Sequence, residues 1–278
     1  MTTFLRKLGE APFSAWFGIV VVTLIALTAI FAPVLAPFPE FEVVGPQYSP
    51  WAAPHYLGTD ALGRDVLSRL IYGARVSLAV GVAAVLMAGA IGTALGITAG
   101  YLGGFADQVI MRVVDAWMAM PSLVFAIFLA AMVGQSAINV VLILGLVYWT
   151  RYARLVRGEV LSLRERDFVK LAVVTGASSL RIMVRHILPN VVNTTVVLAT
   201  LMLGVVIVTE ASLSFLGVGV PPPNPAWGLM LADGKQAMMV GKWWLTVLPG
   251  ACILLTVMSA SILGDYMRDR FDPKGKMR

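Results

Sequence analysis

The residues best placed for chemistry lie between Arg164 and Asn190. They read Arg-Glu-Arg-Asp-Phe-Val-Lys-Leu-Ala-Val-Val-Thr-Gly-Ala-Ser-Ser-Leu-Arg-Ile-Met-Val-Arg-His-Ile-Leu-Pro-Asn and separate two strongly apolar runs. The chemistry they suit is recognition, a basic docking surface with an aromatic anchor at Phe168, and not bond-making. A helix-compatible run ends at Gly176, a second begins near Ser178, and Pro189 opens the next apolar segment. Gly176 fits the position after the last turn, where a left-handed conformation closes a helix.

Catalytic constellations are missing. A nucleophile needs a base in contact with it, and neither His55 nor His186 falls in an apolar run where it could serve Ser136. The two histidines are too separated for a metal site, and Cys252, alone in an apolar run, implies no disulfide, zinc site or iron–sulfur cluster. Gly-Lys pairs at Gly234, Gly241 and Gly275 lack the upstream glycine and following hydroxyl of a phosphate-binding loop. Arg112 and Asp115, three apart on a helix, are expected to pair with each other. Met118 and Met120 read as packing residues. Glu210 is expected near the outer end of a span, either meeting water or a backbone donor, or touching a substrate.

The elements that must hold these residues are membrane helices. With 59% hydrophobic and 13% charged residues and a mean hydropathy of +0.85, the chain is an integral membrane protein. Apolar runs at Trp16–Leu35, Leu78–Ala99, Ala116–Val133, Ala137–Trp149, Val191–Val208 and Trp243–Leu263 predict six transmembrane helices in an all-α, polytopic protein. The fourth run is short, so its helix is expected to continue past Arg151 and Arg154 through Tyr152, Leu155 and Val156 into the docking loop. Sixteen of the 21 lysines and arginines fall on the face that carries both termini and this loop, which places that face in the cytoplasm. The net charge of +6 therefore reflects topology and anionic lipid, not nucleic acid. The N-terminal run is too long for a signal-peptide core and reads as a retained span.

Two outside segments follow from this topology. Residues 37 to 72 carry five prolines before Thr59 and Asp60 offer helix caps, and Leu62, Val66, Leu67, Leu70 and Ile71 predict a helix along the outer membrane surface. Residues 217 to 242 contain Pro221-Pro222-Pro223-Asn224-Pro225, a stiff spacer. Glycines at 81, 89, 92, 96 and 100 predict a close helix contact within the chain or to a partner. The organisation expected is a tail and first span over 1–36, an outside segment over 37–73, and a core over 74–278 with a coupling loop at 158–189.

Blocks along most of the chain resemble permease subunits of ATP-binding-cassette importers of the dipeptide, oligopeptide and nickel group. They include Leu57 to Leu70, Gly73 to Leu78, Met111 to Asp115, Arg151 to Gly158, Gly176 to Ser178, Arg185 to Asn190, Glu210 to Gly217, Ala226 to Gly228, and Gly264-Asp265. The resemblance implies a type I importer permease fold. It also implies a second, similar permease, two ATPase subunits that bind ATP and magnesium, and an extracytoplasmic substrate-binding protein. This chain itself would bind no cofactor and catalyse nothing. The family's cytoplasmic signature, Glu-Ala-Ala followed by Gly and then Ile-x-Leu-Pro, matches Lys170, Leu171, Ala172, Gly176, His186, Leu188 and Pro189. Two departures matter, Lys170 for Glu and Leu171 for Ala, inverting a charge and enlarging a small contact, while His186 in place of Ile is usual in the subgroup it resembles.

The coupling residues implied are Phe168, Lys170, Leu171, Ala172, Gly176, Ala177, Ser178, Arg181, His186 and Pro189. Glu210, Ser212 and Ser214 are candidates for the translocation path. A peptide is the expected cargo, with nickel, glutathione, an opine or an oligosaccharide as alternatives, in the inner membrane of a bacterium. A membrane-embedded enzyme would need a nucleophile and base that the spans lack, and a stand-alone channel would leave the ordered docking loop unexplained.

Overall fold

The computed structural model describes residues 12–271. The basic residues Arg6, Lys7, Lys274, Lys276 and Arg278, used above for orientation, lie outside the described residues. Among the described residues the fold is all-α, with no strand beyond three isolated bridges in the segment before the longest helix. The helices are α1 (Phe13–Ile30), α2 (Ala32–Leu35), α3 (Val66–Leu102), α4 (Gly104–Met118), α5 (Ser122–Val133) and α6 (Ala137–Leu163). They continue with α7 (Asp167–Val174), α8 (Ser179–Ile182), a π-helical turn (Met183–Ile187), α9 (Leu188–Phe215), α10 (Trp227–Met239) and α11 (Trp244–Phe271).

Four segments are long and apolar enough to cross a membrane: α1, α3, residues Ser179–Phe215 and α11; the bent pair α4–α5 makes a fifth. Six crossings are compatible with this count, because α6 starts as an apolar helix and carries Arg151, Arg154 and Arg157 in its later half. As the sequence predicts, α6 does not stop at the arginines. Its 27 residues extend roughly 40 Å and lead directly into the loop. Ser136 caps its start by accepting the Asn139 amide at 3.0 Å, a structural task for the hydroxyl weighed above as a nucleophile.

Three expectations are corrected. The helix expected along the membrane surface is not separate: it is the first stretch of α3, which starts at Val66 and runs unbroken for 37 residues. Thr59 and Asp60 do not cap it. Asp65 does, accepting the Ser68 amide and hydroxyl, each at 2.8 Å. The third span is broken, with α4 and α5 meeting at a bend of 91°. Pro121 explains the break, since it lacks an amide donor and pushes the residue before it out of helical geometry. Trp117 pins the bend by donating its ring N–H to the Leu146 carbonyl at 2.8 Å. Residues 217–242 are not only a spacer, because α10 follows the prolines and buries Trp227, Met230 and Ala237 against α3 and α11.

The glycine stripe of α3 packs within the chain. Gly92, Gly96 and Gly100 lie against Trp149, Ala153, Val156 and Val160 of α6, so α3 and α6 share the central seam. Around it a cluster including Val80, Ala84, Ala88, Val140, Leu144, Tyr148 and Tyr152 forms the main core. The loop of interest leaves one end of this bundle, the basic end. Residues 36–65 and 216–243 occupy the other, proline-rich end.

Candidate functional site

At the basic end the chain makes a compact helix, turn and helix. Arg166 adopts extended backbone before α7, whose first turn contains Asp167, an acid suited to the positive end of a helix. α7 ends in a Schellman motif. The Gly176 amide donates to the Val173 carbonyl and the Ala177 amide to the Ala172 carbonyl, both at 3.0 Å, while Gly176 takes a φ of +77°. Ser178 then caps α8, accepting the Arg181 amide at 3.4 Å. Through the π-helical turn the chain enters α9, where Pro189, which has no N–H to donate, sits in the first turn. The side-chain amide of Asn190 donates to the His186 carbonyl at 2.6 Å.

α7 has two faces with different fates. Val169 and Ala172 are buried in a cluster with Ile97 of α3, Val156 and Val160 of α6, and Ile182, Ile187 and Val191. Phe168, Leu171 and Val174 point away, with Leu171 63% and Val174 83% exposed. A short helix that anchors one apolar face and leaves another bare has the form of a docking element. Lys170 is exposed beside them, its Nζ 3.4 Å from Glu165 Oε2, and Arg164 Nε lies 3.4 Å from the other oxygen of the same carboxylate. These two neighbours, Lys170 first, hold the Glu165 carboxyl below the usual range. Of the remaining coupling candidates, Gly176, Ser178 and Arg181 are exposed and Ala177 and His186 half-buried.

Ion pairs tie α6 to α4 beside this element. Arg154 donates to Asp115 and Arg157 makes a two-pronged contact with Asp107. The expected Arg112–Asp115 pairing is therefore corrected: Asp115 is claimed by Arg154 from the neighbouring helix. Helix spacing permits the local pair, but packing of α4 on α6 decides it.

Glu210 sits near the proline-rich end of α9, in neither of the settings its sequence position suggests as the bland case. It is fully buried, and Ser214 Oγ donates to its Oε1 at 2.8 Å. The same Ser214 oxygen accepts the Val220 amide at 3.1 Å, and nearby Ser77 Oγ accepts the Trp227 amide at 3.2 Å. Ser212, half-buried, donates back to the Val208 carbonyl at 2.7 Å. α10 thus lies over the group as a cover.

A second polar group, missed by the sequence reading, closes the proline-rich end. Buried Arg69 places Nη1 2.5 Å from Asp60 Oδ2 and 3.6 Å from Asp233 Oδ2, and Arg64 Nε contacts Asp60 at 2.8 Å. His55 Nδ1 lies 3.3 Å from the cap residue Asp65. These links join the proline-rich segment, the start of α3 and α10 across long sequence separations. No local pattern announces them.

The model for the family described as "Binding-protein-dependent transport system inner membrane component" matches residues 92–276. Over 266 residues the chain is 41% identical to the dipeptide transport system permease protein of Alkalihalophilus pseudofirmus, covering 93% of this chain and 85% of the relative. It is 40% identical to the di/tripeptide transport system permease protein of Pseudomonas aeruginosa over 266 residues, 93% and 88% of the two chains. It is 41% identical to the glutathione transport system permease protein of Pectobacterium atrosepticum over 262 residues, 93% and 86% of the two chains.

Proposed function

We propose that this chain, which belongs to the family of binding-protein-dependent transport system inner membrane components, forms half of a translocation pathway for short peptides. It is a permease subunit of an ATP-binding-cassette importer and a multi-pass inner-membrane protein; it is non-catalytic, and ATP hydrolysis belongs to separate subunits. The system it serves includes a binding protein and an ATPase. In our reading a second, homologous permease completes the pathway, and two ATPase subunits carry ATP and magnesium. Both termini of this chain face the cytoplasm.

The observation that carries the coupling role is the division of α7 into a buried and a bare face. Val169 and Ala172 lock it to α3, α6 and α9, so movement of α7 is passed to three long helices. Phe168, Leu171 and Val174, flanked by Lys170 and Arg181, offer the surface an ATPase would grip. Gly176, Ala177 and Ser178 set the angle to the segment containing His186 and Pro189. Glu210, Ser212 and Ser214 belong to the outer part of the pathway and lie under α10 in the conformation described.

Peptide cargo is supported by relatives named for dipeptides, di- and tripeptides, and glutathione, itself a tripeptide. Purification from membranes with stoichiometric ATPase, together with calorimetry of the cognate binding protein against short peptides, tests the reading. It is lost if no ATPase accompanies the chain or if the binding protein takes no peptide.

A further inference from the structure

At the basic end a cleft of about 670 Å³ opens between the end of α6, the first turns of α9 and the end of α11. Its size falls within the about 300 to 1,000 Å³ of small-molecule sites. Glu159, Arg166 and Arg268 line it, together with Asn190, Asn193 and Thr194. A second groove, between α3 and α9, has about 580 Å³ and walls that are almost wholly aliphatic, as a lipid-facing surface requires, and a third, of about 590 Å³, belongs to the α7 docking element already described.

The charged side chains around the end of α6 divide by face. Arg154 and Arg157, toward α4, are neutralised by Asp115 and Asp107. On the cleft side, Glu159, Arg166 and Arg268 have no ionic partner among the described residues. Glu159 Oε2 is buried and lacks any hydrogen-bond partner. Leaving such an oxygen unsatisfied is costly, so it calls for a donor within the cleft. One acid, two bases and two side-chain amides in one cleft complement a small zwitterion.

We propose that this cleft is a station on the translocation pathway that receives a short peptide. Glu159 takes the ammonium end, Arg166 and Arg268 take the carboxylate, and Asn190 and Asn193 meet the peptide bond. The assignment rests on the peptide reading proposed for the chain and adds to it a place and a polarity.

The test uses the complete transporter, with its binding protein, in proteoliposomes. This chain carries Cys252→Ser and Asn193→Cys, and a membrane-impermeant maleimide is applied from the loop side. Asn193→Cys is expected to react, and dialanine under transport conditions should slow the reaction. Adding Glu159→Gln should abolish that protection and lower dialanine uptake about tenfold, the effect of losing one charge-assisted hydrogen bond. Glu159→Asp should restore most of the uptake, and Arg268→Gln should reproduce the loss, with the ATPase still co-purifying in each case. An unreactive or unprotected Asn193→Cys, or full uptake with Glu159→Gln, overturns the cleft while leaving the peptide reading intact. A native transporter that takes up no peptide overturns both.

Discussion

A methyl group built on Gly96 of α3 would lie 2.7 Å from the Ala153 carbonyl oxygen of α6. The obstacle is backbone, so it cannot swing aside as a flexible side chain would. The contact sits between Gly92 and Gly100, which meet Tyr152 and Val160 of the same helix. Close approach here fixes α6, and α6 in turn carries the chain into α7.

Gly96→Ala should therefore force α3 and α6 apart at a cost of about 1 to 3 kcal/mol, the usual range for overpacking a close contact. Gly89→Ala is the comparison, since its added methyl would meet the Tyr152 ring at an ordinary 3.5 Å. Thermal denaturation in detergent should show a clear drop for the first variant and little for the second. Equal midpoints would mean that the seam yields freely.

The ionic group at the proline-rich end should be fragile in one place and tolerant in another. Asp60 accepts the Leu62 and Arg64 amides as well as contacting Arg64 and Arg69, so Asp60→Ala strands a buried arginine and two backbone donors. Breaking one side of a buried pair costs about 3 to 5 kcal/mol. Asp233 differs because burial pushes its carboxyl up, with Arg69 and then Arg64 pulling it back. A carboxyl raised in the folded state contributes most below its ordinary range and loses that contribution as pH rises through the raised value. At neutral pH, Asp233→Asn should lower the melting midpoint far less than Asp60→Ala. Equal losses would show that the two carboxylates are equivalent.

On α7, Phe168→Ala should weaken ATPase association more than Leu171→Ala or Val174→Ala. Phe168 is the largest of the three and the most sheltered at 38% exposed, so it offers the best-packed anchor. A loss of about 2 kcal/mol, roughly thirtyfold in Kd, is the scale for such a residue. Titration of purified permease with its ATPase measures it directly. Comparable binding by the variant would move the anchor to another residue.

Local signals in the sequence were legible and long-range ones were not. The run of α6 through Arg151 and Arg154 follows from the cost of arginine in lipid, and the end of α7 at Gly176 follows from a backbone only glycine adopts freely. α10 escaped notice because prolines before it and Gly228 and Gly234 within it mask a helical pattern, although those glycines allow its approach to α9 and α11. The bend at Pro121 lay inside an apolar run that composition alone reads as continuous. The cleft lined by Glu159, Asn193 and Arg268 draws on three helices, and no spacing along one of them could disclose it.

Lys170 stands where the resemblance leads one to expect glutamate, and the structure gives its charge a partner within the chain, Glu165 at 3.4 Å. That pair is exposed, so it contributes little to folding. The Glu165 carboxyl, held low chiefly by Lys170, keeps its charge above the ordinary glutamate range of about 4.3 and loses the contact only as pH falls below it. Docking between neutral pH and that range should not vary on its account. The sharper question is whether the ATPase reads the charge. Lys170→Glu should leave thermal stability unchanged but weaken association with the native ATPase, because like charges meeting across an interface are costly. Adding Glu165→Lys restores the pair inside the chain, yet should not restore binding if an acidic residue of the ATPase lies opposite position 170. Recovery in the double variant would make the pairing purely internal, and undiminished binding by Lys170→Glu would remove the acidic counterpart altogether.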